Sequence, residues 1–206
     1  MKVLLINGSP HPHGCTCTAL EALEASLQKN GVETEWVQIG KKPMPGCIAC
    51  GGCRGSGICM WNDDVNDILD ELEEIDGIVV GSPVYYSGAN GALISFLDRL
   101  FYAGGARMAG KVGASVVSCR RGGASAAFEQ LNQFFLMNNM PLAPSNYWNQ
   151  IHGNSREEAL RDEEGLQTMR QLGENMAWML RCIAAGRAAS VAEPVYEPKI
   201  ATNFIR

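Results

Sequence analysis

The chain has 206 residues, 46% apolar and 19% charged, with 23 Gly and 8 Cys, a globular composition with enough length for one full core. Its 17 basic and 22 acidic side chains leave a net charge of -5, so a polyanion finds no basic field to follow and nucleic acid is not an expected partner. No run approaches the roughly 20 apolar residues of a bilayer span, and the apolar start is too short for a signal-peptide core. The expected compartment is therefore the cytoplasm, where cysteines serve as thiols or metal ligands, not as a disulfide framework.

Residues 3–6 are a continuous aliphatic run that suits a strand buried on both faces, and 18–29 carry Leu20, Leu23 and Leu27 at helical spacing. Residues 32–39 alternate as a second strand, 75–80 read as a third, 112–118 as a fourth and 141–147 as a fifth. Helical patterns lie between them at about 64–74, 91–103 and 124–138. A last helix over 156–185 places Met169, Leu172, Met176, Met179, Leu180 and Ile183 on one face, read as core packing. Cys182 on that helix reads as a small apolar residue.

This strand-helix rhythm predicts an α/β three-layer, doubly wound sandwich around a five-stranded parallel sheet, with right-handed crossovers. Residues 1–187 would form the domain, with a cysteine-rich loop at 43–62, and 188–206 a C-terminal arm that crosses a neighbouring subunit. Ligands of such sheets bind beyond the carboxyl ends of the strands.

The loop after the first strand offers Ser9, His11, Gly14, Cys15, Thr16, Cys17 and Thr18. Its hydroxyls and the free amides of a first helical turn make a site for a phosphate monoester without any lysine. Neither G-x-G-x-x-G nor a P-loop lysine is present. A tyrosine-phosphatase loop is excluded because Glu21 and Leu23 stand where its arginine would. After the third strand, Pro83, Val84, Tyr85, Tyr86, Ser87 and Gly88 combine a fixed backbone with aromatic cover, suited to the edge and face of a planar polar ring. After the fourth, Ser118, Arg120, Arg121, Gly122 and Gly123 add a donor-rich edge. No G-x-S-x-G elbow occurs. Asn62-Asp63-Asp64 reads as a helix start, and His152 caps a turn or reaches a neighbouring planar ring.

Cys47, Cys50, Cys53 and Cys59 form C-x2-C-x2-C-x5-C among glycines that let four thiolates converge. An iron-sulfur cluster, zinc, a redox dithiol and bare thiols all remain open from spacing alone.

The Gly8-Ser9-Pro10 loop with Gly14-Cys15-Thr16, the segment Gly81-Ser82-Pro83-Val84-Tyr85 and the helix from Gly91 to Arg99 resemble the NADPH-dependent FMN reductase and iron-sulfur flavoprotein branch of the flavodoxin-like superfamily. The resemblance covers about residues 1–125. It implies strand order 2-1-3-4-5, FMN with its phosphate on the first loop and its ring against residues 83–88, and NAD(P)H as co-substrate. The acceptor would be a small molecule: a quinone, a nitro or azo compound, or a flavin. No catalytic side chain is expected, because the flavin carries the chemistry. The family often has Arg or Lys and Asn in the phosphate loop, where this chain has His11 and Cys15. The alternative that the resemblance implies is an electron carrier with a 4Fe-4S cluster on Cys47, Cys50, Cys53 and Cys59 and ferredoxin as partner. Either form is expected to be a homodimer or homotetramer.

Overall fold

Alternate residues of the first strand face opposite cores, and that fact organises the layers. In the computed structural model, which describes residues 1–39, 43–198, 200, 202 and 204, β1 spans Lys2–Asn7. Its Leu4 and Ile6 join one buried cluster and its Val3 and Leu5 the other. The period-two alternation of a strand does this without any polar face. β3 (Gly77–Tyr85) and β5 (Val112–Cys119) repeat the pattern. Ile78 and Val80 sit on the first side, and Val79, Ala114 and Val116 on the second.

Helices cover both faces. On the first side lie α3 (Asp64–Glu71), α4 (Gly91–Gly104) and α5 (Ala124–Met137), contributing Ile68, Phe96, Leu100 and Phe135. On the second lie α1 (Cys15–Lys29) and α7 (Glu163–Ala188), contributing Leu20, Leu23, Met169 and Met176. The methionine face is core, as its spacing predicts. Each such buried side chain stabilises the fold by about 1.5–3 kcal/mol.

β2 (Glu33–Gln38) flanks β1, and β6 (Gln150–His152) flanks β5. The path of the sheet is β2-β1-β3-β5-β6, every neighbouring pair parallel. This is the expected 2-1-3-4-5 order for the five parallel strands. The structure adds a two-residue strand β4 (Gly88–Ala89), antiparallel to the end of β3. The order reverses between β1 and β3, so the switch point lies where the first and third strands end.

Several boundaries differ from expectation, three of them in the fifth strand and the flanking helices. The fifth strand is not 141–147. Leu142 makes an isolated bridge to Gly113, the chain then bulges outward, and pairing resumes only at Gln150–His152. Pro141 and Pro144 have no N–H to give a ladder. The bulge overhangs an open groove of about 470 Å³ lined by Phe128, Asn132, Tyr147 and Trp148. The last helix is also broken: α6 (Arg156–Ala159) is separate from α7. Asp162 makes the break by accepting from Gly165 N at 2.9 Å and from His152 N at 2.6 Å. Cys182, expected to pack, is exposed. The third departure is a short one, since α3 ends at Glu71 and continues as a single 3-10 turn to Glu74.

Of the expected arm, residues 199, 201, 203, 205 and 206 lie outside the described residues. Its described residues beyond α7 form no helix or strand. Among the described residues no helix is long and apolar enough to cross a membrane.

Candidate functional site

The first loop is shaped from inside. Asn7, fully buried at the end of β1, donates from Nδ2 to Gln38 Oε1 at 2.8 Å and accepts the Ser9 amide on Oδ1 at 3.0 Å. Gln38 in turn donates to the carbonyls of Asn7 and Ser9. Buried Asn7 and exposed Gln38 are thus tied to each other and to the loop backbone, which sets the path by which the loop leaves the sheet. Ser9 Oγ then accepts the His11 amide at 3.1 Å. Gly14 stands at the N-cap of α1 and no side chain caps that helix. Its first-turn amides keep their donors for an anion.

Of the hydroxyls in this loop, Thr16 Oγ1 shares a 2.8 Å bond with Ser118 Oγ at the end of β5, tying two sheet ends together. Thr18 donates to Gly14 O at 3.2 Å and so serves its own helix.

β3 runs on through residues expected to be loop, because Ser82 and Pro83 pair with Val117 and Ser118 of β5. Tyr86 and Ser87 then turn the chain with φ of 48° and 63°, the sign that a tight hairpin requires at both central residues. Gly123, at φ 87°, lies against this turn, and a Cβ there would meet Ser87 Cα at 2.8 Å and Ser87 Oγ at 2.9 Å. Only glycine lets the loops after β3 and β5 touch in this way.

The three sheet ends enclose an open cavity of about 630 Å³. Of the expected cofactor residues it gathers Ser9, His11, Gly14, Cys15, Thr16, Pro83, Val84, Tyr85, Ser118 and Arg120. Cys17, Thr18, Tyr86, Ser87, Gly88, Arg121, Gly122 and Gly123 do not line it. Cys17 and Thr18 are buried in α1, and Tyr86 points fully into solvent. Gly153, Asn154 and Ser155, which follow β6, complete the wall. They could be found only by placing the fifth strand correctly.

Burial raises the pKa values of the thiols near this cavity. Burial, joined by the charge of Glu21, pushes Cys17 up to about 11, and burial likewise raises Cys15 and Cys119. Cys15 Sγ donates to Ser155 O at 3.2 Å and Cys17 Sγ to Glu21 Oε1 at 3.4 Å. Arg156 reaches the same corner, pairing with Glu21 at 2.7 Å and donating to Thr18 Oγ1 at 3.4 Å. It supplies a positive charge that no residue of the first loop provides.

A second cavity, of about 120 Å³, lies on the side of the sheet covered by α3 and α4. Cys47, Cys50, Cys53 and Cys59 all line it, together with Trp61, Arg99 and Tyr102. Residues Cys53–Ser56 form the single turn α2, and the loop bends through left-handed positions at Ala49, Gly51 and Gly57. Asn66 on α3 holds the Cys59 backbone from both sides, accepting from Cys59 N at 2.9 Å and donating to Cys59 O at 3.0 Å. Asp63 caps α3 through Val65 N, as the Asn62-Asp63-Asp64 step predicts. Burial works to raise the Asp63 carboxyl, but its bonds with Arg99 and Val65 outweigh that and hold it below the usual carboxylate range. Among the described residues no group of three or more His, Cys, Asp or Glu side chains is drawn together as a single metal ion requires. The four cysteines border one common space.

Comparison with known proteins places this architecture. The sequence pattern of the NADPH-dependent FMN reductase family matches residues 1–154. An iron-sulfur flavoprotein of Methanocaldococcus jannaschii is 34% identical over 191 residues, which is 89% of this chain and 99% of that protein. Among solved structures, an NAD(P)H:quinone oxidoreductase of Methanothermobacter marburgensis aligns with a TM-score of 0.67 at 15% identity, over 85% of this chain and 96% of the other. A flavodoxin from the domain Archaea aligns with a TM-score of 0.61 at 18% identity, over 88% and 99%. The two structural likenesses concern the flavodoxin-like fold.

Proposed function

The chain belongs to the NADPH-dependent FMN reductase family and is an FMN-dependent oxidoreductase, and we propose that it links a two-electron partner at FMN to a one-electron carrier at a 4Fe-4S cluster. The two-electron partner is NAD(P)H as donor, with a quinone, a nitro or azo compound or a free flavin as small acceptor. The one-electron carrier is of the ferredoxin class. The observation that carries this reading is the shared cavity: four cysteines, contributed by one short loop, line a single space of about 120 Å³.

The donor set supports a cluster over zinc. Four Zn–S bonds of about 2.3 Å would gather the sulfurs on one point. A cluster takes one thiolate at each of several irons, so its ligands surround a volume. The M. jannaschii relative is named an iron-sulfur flavoprotein over nearly its whole length.

The larger cavity suits FMN in size, within the range of about 300–1,000 Å³ for cofactor sites. The uncapped start of α1 would receive the phosphate. Pro83, Val84 and Tyr85 would bound the ring on one side, with Ser118 and Arg120 at its edge. FMN, when bound, supplies the exchange between paired and single electrons. The chain would bind and orient it, and burial favours the neutral form of the neighbouring thiols.

On the same reading, residues 1–187 form the FMN-binding domain with its cysteine loop at 43–62, 188–206 form an arm, and the chain assembles as a homodimer or homotetramer. The arm's exposed Val195, Tyr196, Ile200 and Phe204 favour contact with a second copy.

The test is anaerobic purification with FMN, iron and acid-labile sulfide counted together, followed by mixing with NADPH and with reduced ferredoxin. About four irons per FMN and reduction by both donors are expected. FMN without iron would leave a two-electron reductase and end the cluster reading. Failure to take up FMN on reconstitution would end both.

A further inference from the structure

Arg99 is 2% exposed, and a guanidinium removed from water must find an acceptor for each donor. Most of its donors are accounted for by the loop it holds. Nη1 and Nη2 grip Asp63 in a bidentate pair at 2.8 and 2.6 Å. Nη1 also reaches Pro45 O at 3.4 Å and Met44 Sδ at 3.3 Å, and Nη2 reaches Trp61 O at 3.3 Å. The remaining Nε–H is directed at Cys59 Sγ, 3.3 Å away. A neutral thiol is a weak acceptor. A sulfur bearing negative charge returns a charge-assisted bond of about twice the strength. Among the described residues no other sulfur of the four accepts a side-chain hydrogen bond, and Cys53 is itself a donor, to Tyr102 O.

We propose that Arg99 is a positioning residue of the cysteine site, whose Nε–H bond makes Cys59 the electronically distinct ligand and raises the reduction potential of the cluster. The proposal rests on the cluster reading above and goes beyond it to a single bond. A hydrogen bond to a ligating sulfur withdraws electron density and so favours the state holding the extra electron. Asp63 serves to hold the guanidinium in register and to balance its charge. The loop's backbone has a further support in Asn66, which bonds the Cys59 amide and carbonyl and shares the Trp61 carbonyl with Arg99, without touching sulfur.

That difference makes the test. In anaerobically loaded full-length protein, Arg99→Lys keeps the charge and loses the fork. It is expected to lower the one-electron reduction equilibrium of the cluster about tenfold, or about 59 mV. Asn66→Ala, which loosens the loop but leaves the Nε–H bond to Cys59 Sγ, is expected to lower iron retention while the potential of the loaded fraction stays in place. In the wild type, guanidino-15N arginine should give a nitrogen coupling in the pulsed EPR of the reduced cluster. An unchanged potential in Arg99→Lys, equal shifts in both variants, or no nitrogen coupling in a wild type that holds a cluster would each overturn the role of Arg99 and leave the cluster standing. A wild type that takes up no iron would overturn both. If Arg99→Lys does not fold, the coupling is read in Arg54→Lys, which removes the other guanidinium lining the cavity: a coupling that persists there supports Arg99, and one that vanishes overturns its role.

Discussion

Cys15, Cys17 and Cys119 sit at the carboxyl end of the sheet, packed beside or within α1 and β5, where burial raises their pKa values and two of them act as hydrogen-bond donors. Cys47, Cys50, Cys53 and Cys59 sit on an exposed or half-exposed loop, around a shared space, with a buried arginine donating to one of them. The first group behaves as small apolar residues with a weak donor. The second offers sulfur as a ligand. Residue type is the same in both; burial in an α-helix or strand favours the neutral thiol, whereas an exposed glycine-rich turn leaves sulfur open for coordination.

The largest effect should come from breaking the second group. Cys50→Ser is expected to remove most of the iron, leaving less than roughly a quarter of the wild-type ratio of iron to FMN, because one missing ligand opens the site. FMN content should stay as it was, and iron analysis beside the flavin spectrum checks both. Next is the contact that builds the first group's cavity. Gly123→Ala puts a Cβ 2.8 Å from Ser87 Cα at a left-handed position. A cost of about 1–3 kcal/mol in denaturant unfolding is expected, with weaker FMN binding and unchanged iron.

A smaller, pH-dependent difference would sharpen the contrast. Cys17 is raised from 9.0 to about 11, so the folded state favours its protonated form. That contribution is fully present below the unfolded thiol's value and is lost as pH rises through the folded one. Between about pH 9 and pH 11, wild-type stability should fall relative to Cys17→Ala by up to about 2 kcal/mol, read as the gap between two denaturation series. The smallest effect is expected for Cys119→Ala, which should alter FMN affinity less than about threefold and leave iron untouched. An iron loss there would erase the distinction between the two groups.

What could be seen in the sequence follows from range. β1 was legible because four consecutive aliphatic residues leave no polar face, and the buried faces of α1 and α7 because leucine and methionine repeat at helical spacing. The cysteine loop was legible because its four cysteines lie within 13 residues. β6 was not, since its three residues hold one apolar side chain, Ile151, between Gln150 and His152, and the better alternation just before it is spoiled by two prolines. With β6 misplaced, Gly153 to Ser155 could not be assigned to the cavity wall. The break before α7 was hidden because Asp162 stops a helix only through its bonds to Gly165 and His152, which composition does not reveal. Arg99 and Asp63 stand 36 positions apart, and nothing local announces that they meet.

α4 carries one more consequence. Its cap, Asn90, donates its amide N–H to Ser82 Oγ beside Pro83 of the larger cavity, and Arg99 and Tyr102 reach the smaller one. At a rise of about 1.5 Å per residue, Asn90 and Arg99 are separated by about 14 Å along one rigid rod. The helix therefore acts as a gauge between the two cavities, setting both their spacing and their angular phase. One residue inserted between Leu93 and Asp98 would leave the cap in place yet swing Arg99 by about 100°, so length changes that the surrounding loops can absorb are forbidden within this single turn and a half of chain.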